Sequence, residues 1–377
     1  MTLAEIDELA KQYYYNLEPE KALLCYAEAF SQYPDLALAY NNYGRILSEM
    51  DRPDRACTFL KLAIELDPEE RIAPLNLSSA YLKQGDCVRG WEQFESRWRF
   101  KHHEHLLTTY TEPRWEGESI EGKRLLVTCE EGDGDNIQFI RFVNTLTDMN
   151  IEVIIQTEPQ LKRLFTSSFP SSTVIDNTEQ IPEFDYWTPI LSIPRILKIT
   201  YDNLPKSTKY LTPSKKTISK WKKIVGKKEK LRVGFCWDGR TKNYPFEKIT
   251  ELVQLNNQYE WINLQQRYIP EQRLVMDRLS IKDYFNDIQD WEDTSGLLHH
   301  IDAIVSIDTG LIHLAGAMNI PSCLMLDKYA TCWRWLMHRT DSPWYDSIHI
   351  FKQSTVRGYD EQLVGIHQCL QDLKPKK

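Results

Sequence analysis

A period of 34 residues near the amino end constrains this chain more than any other feature of its sequence. A helix-turn-helix unit that recurs at fixed spacing can bury its apolar faces only by stacking on its neighbours. With Gly44 at the eighth position of one unit, Ala56, Ala63 and Pro68 fall at small, small and proline positions. One period upstream, Ala10, Tyr13, Ala22, Tyr26, Ala29 and Pro34 occupy the same offsets, and one period downstream Leu77, Tyr81, Gly90 and Phe94 do so before the pattern dissolves. Small residues let two antiparallel helices approach closely, the aromatic fills the gap, and proline ends the second helix. About three units are therefore expected over residues 3 to 103. The stretch "GWEQFESRWRF", with Trp91, Phe94, Trp98 and Phe100, is too aromatic for a free terminal cap, and it is expected to be buried against the next domain of the chain.

From Lys123 the period changes. "RLLVTC" (124–129), "IEVIIQ" (151–156), "STVID" and "YWTPIL" read as short buried strands, with helix patterns between the first three. A basic segment, Lys206 to Lys230, reads as a solvated linker. The alternation then restarts with "LRVGFCW" (231–237), "YEWINLQ" (259–265), "DAIVSI" (302–307) and "SCLML", again with helices between. Alternating strands and helices imply parallel sheets covered on both faces. The fold class is thus α plus α/β, with a helical domain over 1–103 and two doubly wound domains over 104–212 and 213–377. A ligand belongs in the crevice at the carboxyl ends of the strands.

The bulk numbers fit this division, since 377 residues exceed one ordinary core. A net charge of -8 gives no general attraction to nucleic acid or anionic lipid. No run of about 18 apolar residues offers a transmembrane span. The start "MTLAEIDELAKQ" lacks the basic and apolar regions of a signal peptide, so a cytoplasmic location is expected. The eight cysteines show neither a CxxC pair nor a His/Cys zinc spacing, and they read as reduced thiols. No metal centre and no cofactor is expected.

Two stretches carry chemistry. In "EEGDGDNIQFIRF", Glu130 to Phe142, an acidic turn leads into a helix. Three readings stand: a divalent cation held by Asp133 and Asp135, a catalytic carboxylate raised on a strand-to-helix turn, or a helix cap. In "VSIDTGLIHLAGAMNIPSCLML", Val305 to Leu326, Asp308 and Thr309 cap a turn and Gly310 lets the backbone approach a ligand, with Leu311 and His313 on the first turn of the next helix. Free N–H groups at such a helix start form a site for a diphosphate. Asp308 would repel phosphate and suits sugar hydroxyls. Gln265, ending "WINLQ", and Asp293-Thr294 stand where ribose and base recognition would occur.

The repeat residues resemble the tetratricopeptide repeat. The segment "GLLHHIDAIVSIDTGLIHLAGAMNIPSCLML" resembles the donor-site motif of glycosyltransferase family 9, the heptosyltransferases that transfer heptose from ADP-heptose to lipopolysaccharide. The resemblance extends to "GDGDNIQFIRFVNTL" and "VGFCWDGRTKNYPFEKI", and "CWRWLMHRTDSPWYDSIHIFKQ" is similar to a signature of bacterial proteins that join such repeats to such a transferase. It implies two Rossmann-like domains in the GT-B arrangement and an inverting, metal-independent transfer. Asp135, after Gly134, would be the general base, and Arg240 and Lys242 would stabilise the departing diphosphate. The implied donor set is Gly134, Arg240, Lys242, Gln265, Asp308, Thr309, Gly310, Leu311 and His313. The implied partner is a nucleotide sugar. The acceptor stays open between a protein or peptide engaged by the repeats, by analogy, and lipopolysaccharide or another glycan. A noncatalytic repeat adaptor on a degenerate transferase body is the rival outside the enzymes. Trp333, Arg334, Trp335, Arg339 and Asp341 are expected to serve interdomain packing.

Overall fold

A computed structural model of the chain describes residues 1–100, 106–205, 209–239 and 242–373. Three antiparallel helical pairs open it: α1 (Leu3–Tyr15) with α2 (Pro19–Gln32), α3 (Ala37–Glu49) with α4 (Pro53–Leu66), and α5 (Ile72–Lys83) with α6 (Cys87–Phe94). Proline at the first position of α2 and α4 presets the backbone where its missing N–H costs nothing. The repeat positions explain the packing. A Cβ on Gly44 would lie 2.6 Å from Leu60 Cγ, so only glycine lets α3 and α4 approach as they do. Ala10, Ala22, Ala29, Ala56 and Ala63 are fully buried in the same seams.

The remainder forms two parallel sheets. β1 (Arg124–Thr128), β2 (Glu152–Thr157), β3 (Thr173–Asp176) and β4 (Tyr186–Pro189) lie in the order β3-β2-β1-β4. β5 (Arg232–Cys236), β6 (Glu260–Asn263), β7 (Lys282–Asp283), β8 (Ala303–Ile307), β9 (Ser322–Leu326) and β10 (Ile348–Lys352) lie in the order β10-β9-β8-β5-β6-β7. Counted within its own lobe, the second sheet runs 3-2-1-4-5-6, the doubly wound order whose strand sequence reverses between its first and fourth strands. Every residue of β5, β8 and β9 is buried, as a sheet covered on both faces requires.

Among the helices that accompany these sheets are α7 (Asp133–Phe139), α8 (Pro159–Ser168), α9 (Lys215–Val225), α10 (Trp291–Leu298) and α11 (Gly310–Ala317). α9 corrects the reading of the basic segment as a solvated linker. Its Lys215, Lys216, Lys222 and Lys223 are exposed, but Thr217, Trp221 and Val225 recur at four-residue spacing and are buried. Trp221 donates its indole N–H to Asp293 at 3.1 Å, so the segment is anchored to α10. Among the described residues no helix is long and apolar enough to cross a membrane.

The helical array docks on both lobes. Trp91 is buried and donates to the Ile199 carbonyl at 2.8 Å, while Phe94, Trp98 and Phe100 are half-buried. Three residues past the end of α6, Arg97 makes a forked pair with Glu130, from Nε at 3.0 Å and Nη2 at 2.9 Å, both side chains almost fully buried. Glu130 also accepts from the Leu191 N–H at 3.1 Å, and Arg97 reaches Ser192 at 2.7 Å. On the other side Asp51, after α3, pairs with the buried Lys83 at 2.9 Å and with Lys352 of β10. Removing one partner of a buried pair strands the other charge. Arg97→Met should therefore lower stability by about 3–5 kcal/mol in urea unfolding, and adding Glu130→Leu should recover part of that loss. Equal losses in the single and double variants would contradict the assignment.

Candidate active site

Each sheet places its topological switch point toward the other. In the first lobe the chain leaves β1, turns at Glu131 and Gly132, and enters α7. Glu131 adopts the left-handed region, with φ 59°, a conformation strained for a side-chain-bearing residue and common at functional turns. In the second lobe the turns after β5 and β8 border the reversal, and α11 starts directly after the second of them. The two helix starts meet. A Cβ on Gly134 would lie 3.2 Å from Gly310 Cα and 3.3 Å from His313 Cδ2, and one on Gly310 would lie 3.0 Å from the Trp291 ring. A side chain at either position would crowd this approach, and glycine leaves it free.

A cavity of about 470 Å³ opens beside that junction. Gly134 and Asp135 wall it from the first lobe, and Asp238, Gly239, Lys242, Gln265, Asp308, Thr309, Gly310, Leu311 and His313 from the second. Leu264, Phe285, Ile288 and Trp291 give one end an apolar lining. The first N–H groups of α11 have no partner within the helix. Thr309 holds the extended N-cap conformation, but its side chain makes no capping bond, which corrects the expectation that it caps the turn; the Ile312 N–H turns back to the Thr309 carbonyl at 3.2 Å, and Gly310 and Leu311 border the cavity.

The charges of the site are paired. Lys242 Nζ lies 2.5 Å from Asp308 Oδ2. Burial works against the charge on each, but their mutual attraction prevails, holding the Asp308 carboxyl below and the Lys242 ammonium above its ordinary range. Asp135 forms an ion pair with Arg334 Nη2, and its other oxygen accepts from the Gly132 N–H at 3.3 Å. Arg334 also donates to Gln138 and to Cys332 Sγ and lies over the Trp333 ring at 4.3 Å. Asp133 is turned elsewhere, accepting from the Trp291 indole at 2.8 Å and from Gln160 at 3.1 Å. The two carboxylates of the D-G-D turn thus serve separate partners, Asp133 stitching the lobes and Asp135 facing the cavity.

His313 is buried, stacks on Trp335 with centroids 5.4 Å apart, and shares a hydrogen bond of 2.9 Å between Nδ1 and the Tyr345 hydroxyl. Its Nε2 lies 3.9 Å from Asp308 Oδ1. Burial pushes its pKa down to about 3 against the pull of Asp308, helped by Arg334 and Arg141, so the ring is neutral. It shapes the anion site without adding a charge to it.

Of the residues singled out from the sequence, Gly134, Asp135, Lys242, Gln265, Asp308, Thr309, Gly310, Leu311 and His313 border this one cavity. Arg240 lies outside the described residues. Gln265 turns its carbonyl oxygen to the Asp238 N–H at 3.0 Å and so braces the loop after β5. Asn136 caps the acidic turn from within, accepting from the Glu130 N–H at 3.0 Å. Thr294 reaches the cavity, whereas Asp293 is held by Lys220 and Trp221 at 2.7 and 3.1 Å and serves packing. The carboxyl-terminal cluster divides: Trp333 and Trp335 pack as expected, Arg339 pairs with Asp341 at the surface, and Arg334 enters the site. Sequence reasoning missed Arg334, Trp291 and Asp238 as site residues. Arg334 alone had a signal, as a cation between two tryptophans in the carboxyl-terminal cluster.

No protein-family model matches the chain. Protein FlbA of Caulobacter vibrioides is 24% identical over 393 residues, an alignment covering 93% of this chain and 64% of that protein. The chain thus spans less than two thirds of that relative's length. Its structural neighbours include heptosyltransferases of glycosyltransferase family 9. Escherichia coli ADP-heptose LPS heptosyltransferase II matches with a TM-score of 0.49 at 14% identity, over 66% of this chain and 97% of that one. A family 9 glycosyl transferase of Veillonella parvula matches with a TM-score of 0.48 at 10% identity, over 70% and 93%. The Yersinia enterocolitica type III secretion translocator chaperone SycD matches 29% of this chain and 77% of its own, with a TM-score of 0.26 at 17% identity.

The neutral His313 makes stability depend on pH. Its native pKa is about 3, while an unfolded histidine titrates near 6.5, so between those values the unfolded chain binds the extra proton. The stabilising contribution is complete above about pH 6.5 and falls by up to about 1.4 kcal/mol per unit as pH drops below it. His313→Gln should flatten the stability profile between pH 7 and 5 in denaturant unfolding. An unchanged slope would contradict the buried neutral ring.

Proposed function

We propose that the chain is a glycosyltransferase that moves a sugar from a nucleotide-sugar donor to an acceptor hydroxyl with inversion. One observation carries this reading: an uncapped helix start and Lys242 in one lobe face the carboxylate of Asp135 in the other across a single cavity. The diphosphate would lie on the N–H groups of Gly310 and Leu311 and against Lys242. The nucleoside end would extend toward Phe285, Ile288 and Trp291. Asp135 would take the proton of the acceptor hydroxyl as that oxygen attacks the anomeric carbon, and the carbon–oxygen bond to the diphosphate would break. The electron pair would leave on the diphosphate, where the amides and Lys242 stabilise it. On this reading the leaving group is met by side chains and backbone, with no metal required.

We place the acceptor on the side of the helical array. A second cavity, of about 270 Å³, lies between the first repeat and the second lobe and includes Tyr14, Tyr15, Asp327, Tyr329 and Arg357 in its walls. Lys242 borders both cavities, so an acceptor bound at this seam would stand next to the leaving group.

Calorimetry across a panel of nucleoside diphosphates tests the reading. One of them should bind equally well with and without EDTA, and Lys242→Ala should weaken it about 10- to 100-fold, the worth of one charge-assisted hydrogen bond. Asp135→Ala should bind at least as tightly as the unaltered protein while losing about 10²- to 10⁴-fold in transfer rate. If no nucleoside diphosphate binds, the transferase reading falls.

A further inference from the structure

Arg334 is a cation beside Asp135 that the sequence did not assign to the donor, and its position gives it a task. It sits in the cavity wall with one nitrogen on Asp135, one on Gln138 and one on Cys332. A base tied up in an ion pair cannot at the same time receive an acceptor hydroxyl in that direction. Asp135 keeps only its second oxygen, and that oxygen already accepts from the Gly132 N–H at 3.3 Å. The Arg334 side chain is only 11% exposed and that of Asp135 31%, so the arginine is shielded from bulk water while the carboxylate opens on the cavity. The group that enters, on the glycosyltransferase reading, is a diphosphate. It carries more negative charge than one carboxylate, and its oxygens suit the planar fork of an arginine.

We propose that Arg334 masks Asp135 in the free protein and transfers to the donor diphosphate when that binds, unmasking Asp135 for the acceptor. Arg334 then orders the reaction, donor before acceptor. Lys242 and Asp308 form the same kind of pair across the cavity, so donor binding exchanges two carboxylate–cation contacts for two phosphate–cation contacts. The inference rests on the glycosyltransferase reading and adds to it the sequence of events.

The test is a double-mutant cycle on the affinity of the nucleoside diphosphate that the panel selects. If Asp135 and the phosphate compete for Arg334, Asp135→Asn should tighten binding by about 3- to 10-fold. Arg334→Gln should weaken it by at least about 5-fold, and Arg334→Lys, which keeps the charge, by less. In the Arg334→Gln background Asp135→Asn should change nothing. Tightening that persists there would mean that Asp135 merely repels phosphate, and it would overturn the proposal, as would unchanged affinity in Asp135→Asn alone. Should Arg334→Gln not fold, the same comparison in Arg334→Lys decides, with the tightening expected to shrink. Absence of nucleoside diphosphate binding in the unaltered protein would sink the transferase reading itself, a result distinct from each of these.

Discussion

The approach of two helix starts, Gly134 of α7 against Gly310 of α11, brings the switch points of the two sheets together and sets the separation of the lobes. A methyl group at Gly134 would lie 3.2 Å from Gly310 Cα, so a side chain there would crowd the junction at the present separation of the lobes. Each start follows a sheet's point of strand reversal, the place where a doubly wound sheet leaves a crevice. Joining the two crevices produces one cavity. The second lobe lines it with a helix start, the Lys242–Asp308 pair and Arg334, and the first with Asp135.

The neighbouring interactions keep that junction from drifting. Trp291 both packs on Gly310 and donates to Asp133, so one indole reads the separation of the lobes from each side. Arg141, buried just past the end of α7, donates to the Trp344 carbonyl at 2.9 Å and to the Tyr210 hydroxyl at 3.2 Å. Behind the acidic turn, Arg97 of the helical array clamps Glu130, the residue that precedes the strained Glu131. The array is thus a buttress of the turn that carries Asp135, as well as a wall of the second cavity.

What was legible in the sequence was whatever local patterning dictates. Gly44, Ala56 and Ala63 reported helix pairs because small residues at fixed spacing have one packing consequence. The apolar runs reported strands because a parallel sheet buries both faces. The turns at Gly134 and Gly310 were legible because every helix start has unpaired backbone donors and glycine there lets a ligand approach them. β7 and β10 were not, being short or carrying the half-exposed pattern of an edge. The partnership of Arg334 with Asp135 was also invisible, since the residues stand 199 apart in the chain and no periodicity links them. The same holds for Trp291 with Asp133, 158 apart, and for Arg97 with Glu130. Helix α9 was masked by its lysines, which dominate the composition but occupy only its outer face.

On the proposed reading one bound diphosphate lies on the start of α11, beside the start of α7 that carries Asp135. Hydrogen exchange of the backbone amides, followed with and without the nucleoside diphosphate that binds best, tests it most directly. Slowed exchange is expected at Gly310 to His313 and at Gly134 to Asn136 together, with the helical array away from the seam unchanged. Protection confined to the array, or to the first lobe without the start of α11, would contradict it.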